Sequence, residues 1–193
     1  MWGAPITIAP PSYRQGSPHV DLNDRGDAAV AWSGRGTTLV ATRDAGGSWS
    51  APTTVSKTSA GATARIALDG SGNAVAVFEL VKSSGSGYIY PLQAVTRSSR
   101  GSWSAPVTIS GASETVGSPN LFATPAGTFV AAWVTGSNGA VRAAMRPIGL
   151  SGFAAPTGIG FGSQPSLAVT QGITAATWIG PGPAVQVSTA ATP

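Results

Sequence analysis

The sequence contains no cysteine and only one histidine, His19, in 193 residues. Without cysteine the chain cannot form a disulfide, a thiolate metal site or a cysteine nucleophile. A Ser-His-Asp triad would have one candidate base, and no Gly-x-Ser-x-Gly segment is present to supply its serine. Cysteine catalysis is therefore excluded, and a serine triad has little support.

The chain also lacks a long apolar run. No stretch approaches the ~20 apolar residues that a membrane helix requires, so we expect no membrane span. Met1-Trp2-Gly3 does not open a signal peptide. If the natural protein is exported, its leader is absent from this sequence.

Charged residues are scarce, at 9% of the chain, and the net charge is +4. A nucleic-acid surface needs basic residues clustered on one face with aromatic residues between them. Here Arg43 and Arg97 fall at the same point of two repeated segments, as turn residues do. We therefore expect no nucleic-acid partner.

What the sequence does contain is repetition. TRDAGGSWSAPTTVS at 42–56 recurs as TRSSRGSWSAPVTIS at 96–110. A degenerate copy at 146–157 has Phe153 in place of the tryptophan, and the chain opens with only the second half of the motif, WGAP at 2–5. Self-similarity at a fixed period is the signature of a repeat architecture.

Four longer units emerge when the chain is aligned on a glycine six residues before an aromatic residue. The pairs are Gly26 with Trp32, Gly72 with Phe78, Gly127 with Trp133 and Gly172 with Trp178. Each unit contains a hairpin, a third β-branched and alanine-rich run, a glycine-rich turn and the W-x-A-P strand. Four strands at a period of roughly 45 to 54 residues are typical of a β-propeller blade. We predict an all-β protein, a β-propeller of four four-stranded blades.

The last unit lacks its fourth strand, whereas the N-terminus holds a fourth strand without the rest. Trp32 and Trp49 are 17 positions apart, Trp178 lies 15 positions before the last residue, and Trp2 supplies the remaining two. These spacings predict that residues 2–8 pair with 184–189 and close the ring, which removes an unpaired edge. Closure within one chain is favoured. The alternative is two chains that share one eight-bladed ring.

We accordingly predict a single propeller domain, residues 1–193, as a monomer or a homodimer. Its repeat units are 9–56, 57–110, 111–160, and 161–193 together with 1–8.

The turn at 42–49 fits the pattern Ser/Thr-x-Asp-x-Gly-x-x-Trp through Thr42, Asp44, Gly46 and Trp49, and so resembles the Asp-box (BNR repeat) of sialidase-like propellers. The resemblance implies a structural turn away from the catalytic face: the aspartate caps backbone N–H groups, the glycine takes a positive φ, and the tryptophan packs over the hairpin. In the second copy Ser98 replaces the aspartate.

The same resemblance implies a sialidase-type site of three arginines, a Tyr/Glu nucleophile pair and an aspartate acid, which cannot be placed on this sequence. Glycosidase chemistry needs two carboxylates at a defined separation. The only glutamates, Glu79 and Glu114, form no convincing pair, so no catalytic residue is predicted. The favoured function is a secreted or cell-surface, non-catalytic binding module for a glycan or a protein. A sialidase-like hydrolase and a structural or assembly propeller are the alternatives.

Candidate ligand-binding residues come from two places. His19, Arg65, Asn120 and Gln164 stand thirteen or fourteen residues before the aromatic of each unit. In a propeller they would ring one mouth of the central channel, either as a site for a small polar or anionic ligand or simply as the polar ends of the inner strands. The insertion at 81–91 adds Tyr88 and Tyr90, which could stack on a sugar ring.

A metal site and a cofactor are not predicted. The segment 21–27 resembles a calcium loop, but Arg25 occupies a ligand position and the corresponding turns of the other units lose most of the oxygen donors. Arg25-Gly26-Asp27 is interpreted as an ordinary hairpin tip.

Overall fold

The computed structural model describes residues 3–9, 15–34, 36–56, 63–85, 87–137, 139–170, 172–182 and 184–192. These residues form seventeen β-strands and no helix, so the prediction of an all-β protein is confirmed. Within the described ranges there is consequently no helix of the length and hydrophobicity that would let it cross a membrane.

The strands form four small antiparallel sheets in chain order. Sheet 1 contains β1 (Gln15–Leu22), β2 (Ala28–Gly34), β3 (Thr37–Arg43) and β4 (Thr53–Thr54). Sheet 2 contains β5 (Ala64–Leu68), β6 (Ala74–Glu79), β9 (Leu92–Arg97) and β10 (Val107–Thr108); a separate hairpin of β7 (Lys82–Ser84) and β8 (Gly87–Ile89) interrupts it. Sheet 3 contains β11 (Val116–Ala123), β12 (Phe129–Thr135), β13 (Ala140–Arg146) and β14 (Thr157–Phe161). Sheet 4 contains β15 (Ser163–Val169), β16 (Gly172–Ile179) and β17 (Val185–Thr192).

Glycines set the predicted hairpin turns. Gly26, Gly72, Gly127 and Gly172 have φ values of 85°, 81°, 108° and 100°. Only glycine adopts this region without a steric penalty, which is why it recurs six residues before each aromatic residue. The alanine-rich and valine-rich second strands that follow are buried almost throughout sheets 1 to 3 because both faces of these sheets are covered.

Successive sheets pack face to face, and each interface repeats the one before it. Ala31 and Val40 of sheet 1 meet Ile66 and Phe78 of sheet 2; Val77 and Leu92 of sheet 2 meet Leu121 and Trp133 of sheet 3; Val130 and Val141 of sheet 3 meet Leu167 and Trp178 of sheet 4. The second-strand aromatic residue of sheets 2, 3 and 4 therefore faces the preceding sheet, and Trp32 lies on the corresponding outward face of sheet 1. Burying these large side chains is the main favourable term in holding the sheets together.

The predicted closure of the ring within one chain is wrong for the described residues. β17 pairs only with β16, and residues 3–9 belong to no strand. Ile8 and Ala9 instead pack on the outward face of sheet 1, against a cluster that contains Trp32. The apolar residues at the end of this segment are buried against sheet 1. The sequence spacing alone could not distinguish this packing from pairing with sheet 4. Trp2 lies outside the described residues.

The Asp-box-like turn is built differently from what the resemblance implies. Gly46 has the expected positive φ of 69°, and Trp49 packs with the outward cluster of sheet 1. The Asp44 side chain, however, does not cap its turn; it is exposed and lies 3.6 Å from the guanidinium of Arg100. The capping bond comes from Ser50 of the W-S-A-P motif, whose Oγ accepts the backbone N–H of Thr42 at 3.1 Å.

The carboxylate that does cap a turn is Asp69, at the end of β5. Its Oδ1 accepts the backbone N–H groups of Ser71 and Asn73 at 2.9 Å each, and its Oδ2 accepts the Asn73 amide at 2.7 Å. Only 3% of Asp69 is exposed. Removing this side chain leaves buried donors unpaired, which is costly.

We therefore predict that Asp69→Ala lowers the free energy of unfolding by about 2–3 kcal/mol, whereas Asp44→Ala changes it by less than about 0.5 kcal/mol because its single ion pair is exposed. Urea unfolding of both variants measures the difference. An equal decrease in the free energy of unfolding in the two variants would contradict the assignment of the structural role to Asp69 alone.

Candidate functional site

The antiparallel order gives the stack of sheets two ends with different chemistry. At the turn end, first strands turn into second strands and third strands into fourth. At the entry end, first strands begin and second strands connect to third strands. Among the predicted ligand-binding residues, Arg65, Gln164, Tyr88 and Tyr90 lie towards the entry end, whereas His19 and Asn120 lie near the middle of β1 and β11. The Asp-box-like turns lie at the turn end.

Three of the four predicted mouth residues occupy the same position in their sheets. His19, Arg65 and Asn120 each lie opposite the residue just before the aromatic of the second strand. In sheet 4 that position belongs to Ser166, which lies opposite Thr177. Gln164 lies two residues earlier and is exposed, so it is not the structural equivalent of the other three.

A shorter turn explains the offset of Gln164: Val169 pairs with Thr174 in sheet 4, a step one residue shorter than that from Leu22 to Ala28 in sheet 1. Counting back from the aromatic therefore reaches Gln164 at the position of Ser17, and a bulge shared by three first strands shows this equivalence. The strand register shifts at the start of β1, β11 and β15, and the residue before a proline takes a positive φ in each: 45° at Ser17, 51° at Ser118 and 53° at Gln164. Such a conformation is uncommon for a residue other than glycine. The sequence carries a signal for it, because Ser-Pro or Gln-Pro stands at this point in three units, whereas the second unit has Ala64 in place of the proline.

Two mouth residues connect neighbouring sheets. Nδ1 of His19 accepts the backbone N–H of Ile66 in sheet 2 at 3.3 Å, and the side-chain amide of Asn120 donates to the carbonyl of Pro165 in sheet 4 at 3.3 Å. Burial is the main reason that the pKa of His19 is lowered, and the positive charge of Arg65 lowers it further. His19 is therefore neutral near pH 7 and acts as an acceptor.

Arg65 and Glu79 form the electrostatic centre of the entry end. Glu79 lies two residues past the cross-strand partner of Arg65, so the two side chains are diagonal neighbours on one face of sheet 2. Burial raises the pKa of Glu79 to about 7, an effect that the charge of Arg65 partly opposes. Burial also lowers the pKa of Arg65. Within the described residues the only hydrogen bond of the Arg65 guanidinium is to the carbonyl of Ala64, at 3.0 Å.

The two candidate tyrosines lie next to this centre. The insertion at 81–91 follows Glu79 and contains the β7–β8 hairpin, a two-stranded ribbon separate from sheet 2. Tyr88 is exposed on this ribbon. Tyr90 is half-buried at its base, where its carbonyl accepts the backbone N–H of Val116 at 3.0 Å. An exposed aromatic ring beside polar groups is the usual platform for a sugar.

The second glutamate is engaged elsewhere. Glu114 lies 3.1 Å from the guanidinium of Arg142 and accepts the backbone N–H of Gly111 at 3.1 Å. The pair borders a cavity of about 510 Å³ that is also lined by Thr115 and Thr135. Arg142 thus satisfies Glu114, while no other carboxylate contributes to the pKa shift of Glu79. The structure does not bring the two glutamates together as a coupled pair.

The turn end is occupied by bonds between neighbouring turns. Asp27 accepts from Asn23, Arg25 and the backbone of Ala45, which lowers its pKa to about 2. Arg25 also donates to the carbonyl of Ser71 in sheet 2, at 2.7 Å. The residues that resemble a calcium loop and an Arg-Gly-Asp tripeptide are therefore used to join sheet 1 to sheet 2. Among the described residues no group of three or more His, Cys, Asp or Glu side chains could hold a metal ion.

No family model matches the sequence, and no curated protein is significantly similar to it. Several solved structures are similar in fold. The GH93 α-L-arabinofuranosidase of Fusarium graminearum, in complex with arabinobiose, superposes with a TM-score of 0.53 at 16% identity over 90% of this chain and 57% of its own. A PL25 ulvan lyase bound to -[GlcA(1-4)Rha3S]- superposes with a TM-score of 0.57 at 9% identity over 93% of this chain and 52% of its own.

These likenesses establish a shared fold with glycan-processing enzymes. The chain spans just over half the length of each of these structures. At such low identity the likeness transfers no residue and no activity.

The raised pKa of Glu79 predicts a pH-dependent stability. Its proton is held more tightly in the folded state than in the unfolded chain, where the pKa is near 4.5. Stability should therefore fall as the pH rises from about 4.5 through about 7. Glu79→Gln removes the buried charge and should stabilise the protein at pH 8 by about 1 kcal/mol, with allowance for solvent screening, and by much less at pH 4.5.

Denaturant unfolding at the two pH values measures this difference. Glu114→Gln is the matched control: it loses the ion pair with Arg142 and should not stabilise the protein at pH 8. A Glu79→Gln effect of equal size at both pH values would contradict the assignment of the raised pKa.

Proposed function

We propose that the four sheets are consecutive blades of one β-propeller-type domain, residues 1–193, of a secreted or cell-surface protein, and that the entry end binds an acidic glycan without cleaving it. One observation carries the proposal. His19, Arg65 and Glu79 are half-buried, have shifted pKa values and are neighbours, since the charge of Arg65 acts on both of the others. Such shifts cluster at functional sites. Burying an ionisable group costs stability, so such groups are retained mainly where they serve a function.

The chemistry of the three side chains favours an anionic ligand. A desolvated guanidinium with free N–H donors binds a carboxylate or sulfate more strongly than a hydrated one does. Below about pH 7 Glu79 is largely protonated and does not compete for Arg65. Neutral His19 adds an uncharged polar group to this surface, where Arg65 supplies the positive charge and Asp21 is the acidic neighbour of His19.

The glycan class is supported by two further observations. Tyr88 is exposed on a ribbon that leaves the sheet beside Glu79, where its ring can stack on a pyranose face. The similar solved structures are an arabinofuranosidase and an ulvan lyase, the second bound to a repeat that contains glucuronate and a sulfated rhamnose. Asn120 contributes little directly because its amide already bridges sheets 3 and 4, and Gln164 lies outside the centre.

Binding of a glucuronate-containing oligosaccharide, measured by calorimetry, tests the proposal. We expect Arg65→Gln to weaken binding about 10- to 100-fold, the value of a charge-assisted hydrogen-bond pair, and Tyr88→Ala to weaken it roughly five-fold. Arg100→Gln, an exposed arginine at the turn end, is the control and should bind as the wild type does. No binding by the wild type, or unchanged binding by Arg65→Gln, would refute the proposed site.

The pH dependence gives a second test. Ionisation of Glu79 places a negative charge beside Arg65, so affinity for the acidic oligosaccharide should fall as the pH rises through about 7. Glu79→Gln should bind with an affinity that does not change over this interval. A wild-type affinity that stays constant from pH 5.5 to pH 8.5 would contradict the role of Glu79.

A glycoside hydrolase is the second candidate, and the pKa of Glu79 is the observation that favours it. A carboxyl group with a pKa of about 7 can donate a proton to a leaving group at neutral pH. The second carboxylate that the chemistry needs is not coupled to it. Release of fluorophore from a sialoside and from an α-L-arabinofuranoside, abolished by Glu79→Gln, would establish hydrolysis; no release by the wild type between pH 5 and pH 8 would exclude it for these substrates.

A further inference from the structure

The fourth-strand motif follows one packing rule throughout the chain. In each copy the residue six positions after the motif aromatic packs into the interface with the next sheet. Val55 and Ile109, six positions after Trp49 and Trp103, lie in the cores between sheets 1 and 2 and between sheets 2 and 3. Ile159, six positions after Phe153, packs into the core between sheets 3 and 4.

The N-terminal segment obeys the same rule on the outward face of sheet 1. Ile8 stands six positions after Trp2, and it packs against Val30, Trp32, Leu39 and Ala41. These residues form the face of sheet 1 that corresponds to the faces met by Val55, Ile109 and Ile159 in the later sheets. Ile8 and Ala9 therefore occupy the place that the fourth strand of a sheet preceding sheet 1 would take.

Sheet 4 shows the complementary deficit. It lacks a fourth strand, so β17 is an open edge among the described residues. Its outward face is also uncovered: Ile173, Ile179, Val185 and Val187 are exposed, the last two by 79% and 66%. Cross-strand pairing places these four side chains on one face, opposite the face that carries Trp178 and packs on sheet 3. An uncovered apolar face next to an open strand edge is a strong site for association.

We infer that two copies of this chain associate head to tail, each placing the outward face of its sheet 4 on the outward face of sheet 1 of the other. Residues 3–8 of each copy then pair with β17 of the other as the missing fourth strand. The new interface continues the three that already exist within the chain. A two-fold arrangement uses both ends of both copies and closes into a ring of eight sheets, which leaves no open end.

The occupant is a second copy because the same chain does not bring these parts together. Residues 3–9 lie on sheet 1, and β17 pairs only with β16. Each chain has one uncovered sheet 4 and one N-terminal segment on sheet 1. Between two copies, these parts would take the positions of two adjacent sheets within one chain. A second copy therefore satisfies both, and residues 3–8, which form no strand in the single chain, become a strand on association.

The register of the existing sheets fixes which residues should meet. Thr53, Val107 and Thr157, each four positions after the motif aromatic, pair with the third-strand residues Val40, Ala94 and Ala143. Each of these in turn pairs with the residue just before the second-strand aromatic. In sheet 4 the corresponding third-strand residue is Val187, opposite Thr177, so Ile6 should lie opposite Val187. Both side chains are exposed in the isolated chain.

Disulfide trapping tests this pairing, because the chain has no cysteine of its own. Paired antiparallel residues have Cα atoms about 4.5–5.5 Å apart, which suits a disulfide. The double variant Ile6→Cys/Val187→Cys should oxidise to a covalent dimer on a non-reducing gel. The control Ile148→Cys/Val187→Cys places one cysteine in the exposed β13–β14 connection at the turn end and should remain uncrosslinked.

Light scattering of the wild type provides the independent readout, with an expected mass of twice the 19.1 kDa chain. A disulfide formed within one chain, at monomer mass, would overturn the inference in favour of closure within the molecule. No disulfide at all with a monomeric wild type would show that something other than a second copy covers sheet 4.

Discussion

The structure depends on one constraint: both faces of each small sheet are apolar and must be covered. The second strands of sheets 1 to 3 are buried on both sides, so no sheet could exist alone in water. Stacking covers the inner faces, because an aromatic residue of sheets 2, 3 and 4 packs on the preceding sheet. The two terminal faces remain, and only that of sheet 1 is covered, by Ile8, Ala9 and Trp49.

The same stacking positions the polar chemistry. Because the first strands lie side by side in chain order, His19 and Asn120 can bond to the backbone of the next sheet. These bonds join neighbouring sheets, while Arg65 and Glu79 stay half-buried and, among the described residues, form no ion pair with each other. The acidic side chains Asp27 and Asp69 at the turn end, in contrast, accept several hydrogen bonds from nearby donors.

The sheets were predictable from the repeat, since a glycine turn followed six residues later by an aromatic residue occurs in all four units of the sequence. Local exceptions were not predictable from the same pattern. Gln164 occupies the pre-proline position of Ser17 and Ser118 because the turn between the first and second strands of sheet 4 is one residue shorter. Ser50, not Asp44, accepts the backbone N–H of Thr42. The raised pKa of Glu79 results from tertiary burial, which no spacing along the chain reveals. The motif spacing identified the N-terminal copy of the fourth-strand motif but not its surroundings: residues 3–9 form no strand, and Ile8 and Ala9 pack on sheet 1.

The central claim is that the open edge of sheet 4 is covered in solution by residues 3–8 of another copy. Hydrogen exchange of the β17 backbone amides, followed over a range of protein concentrations, tests it most directly. Slow exchange that accelerates on dilution is the predicted result, because the amides are protected only in the associated form. Fast exchange at every concentration, or slow exchange that does not respond to dilution, would contradict it.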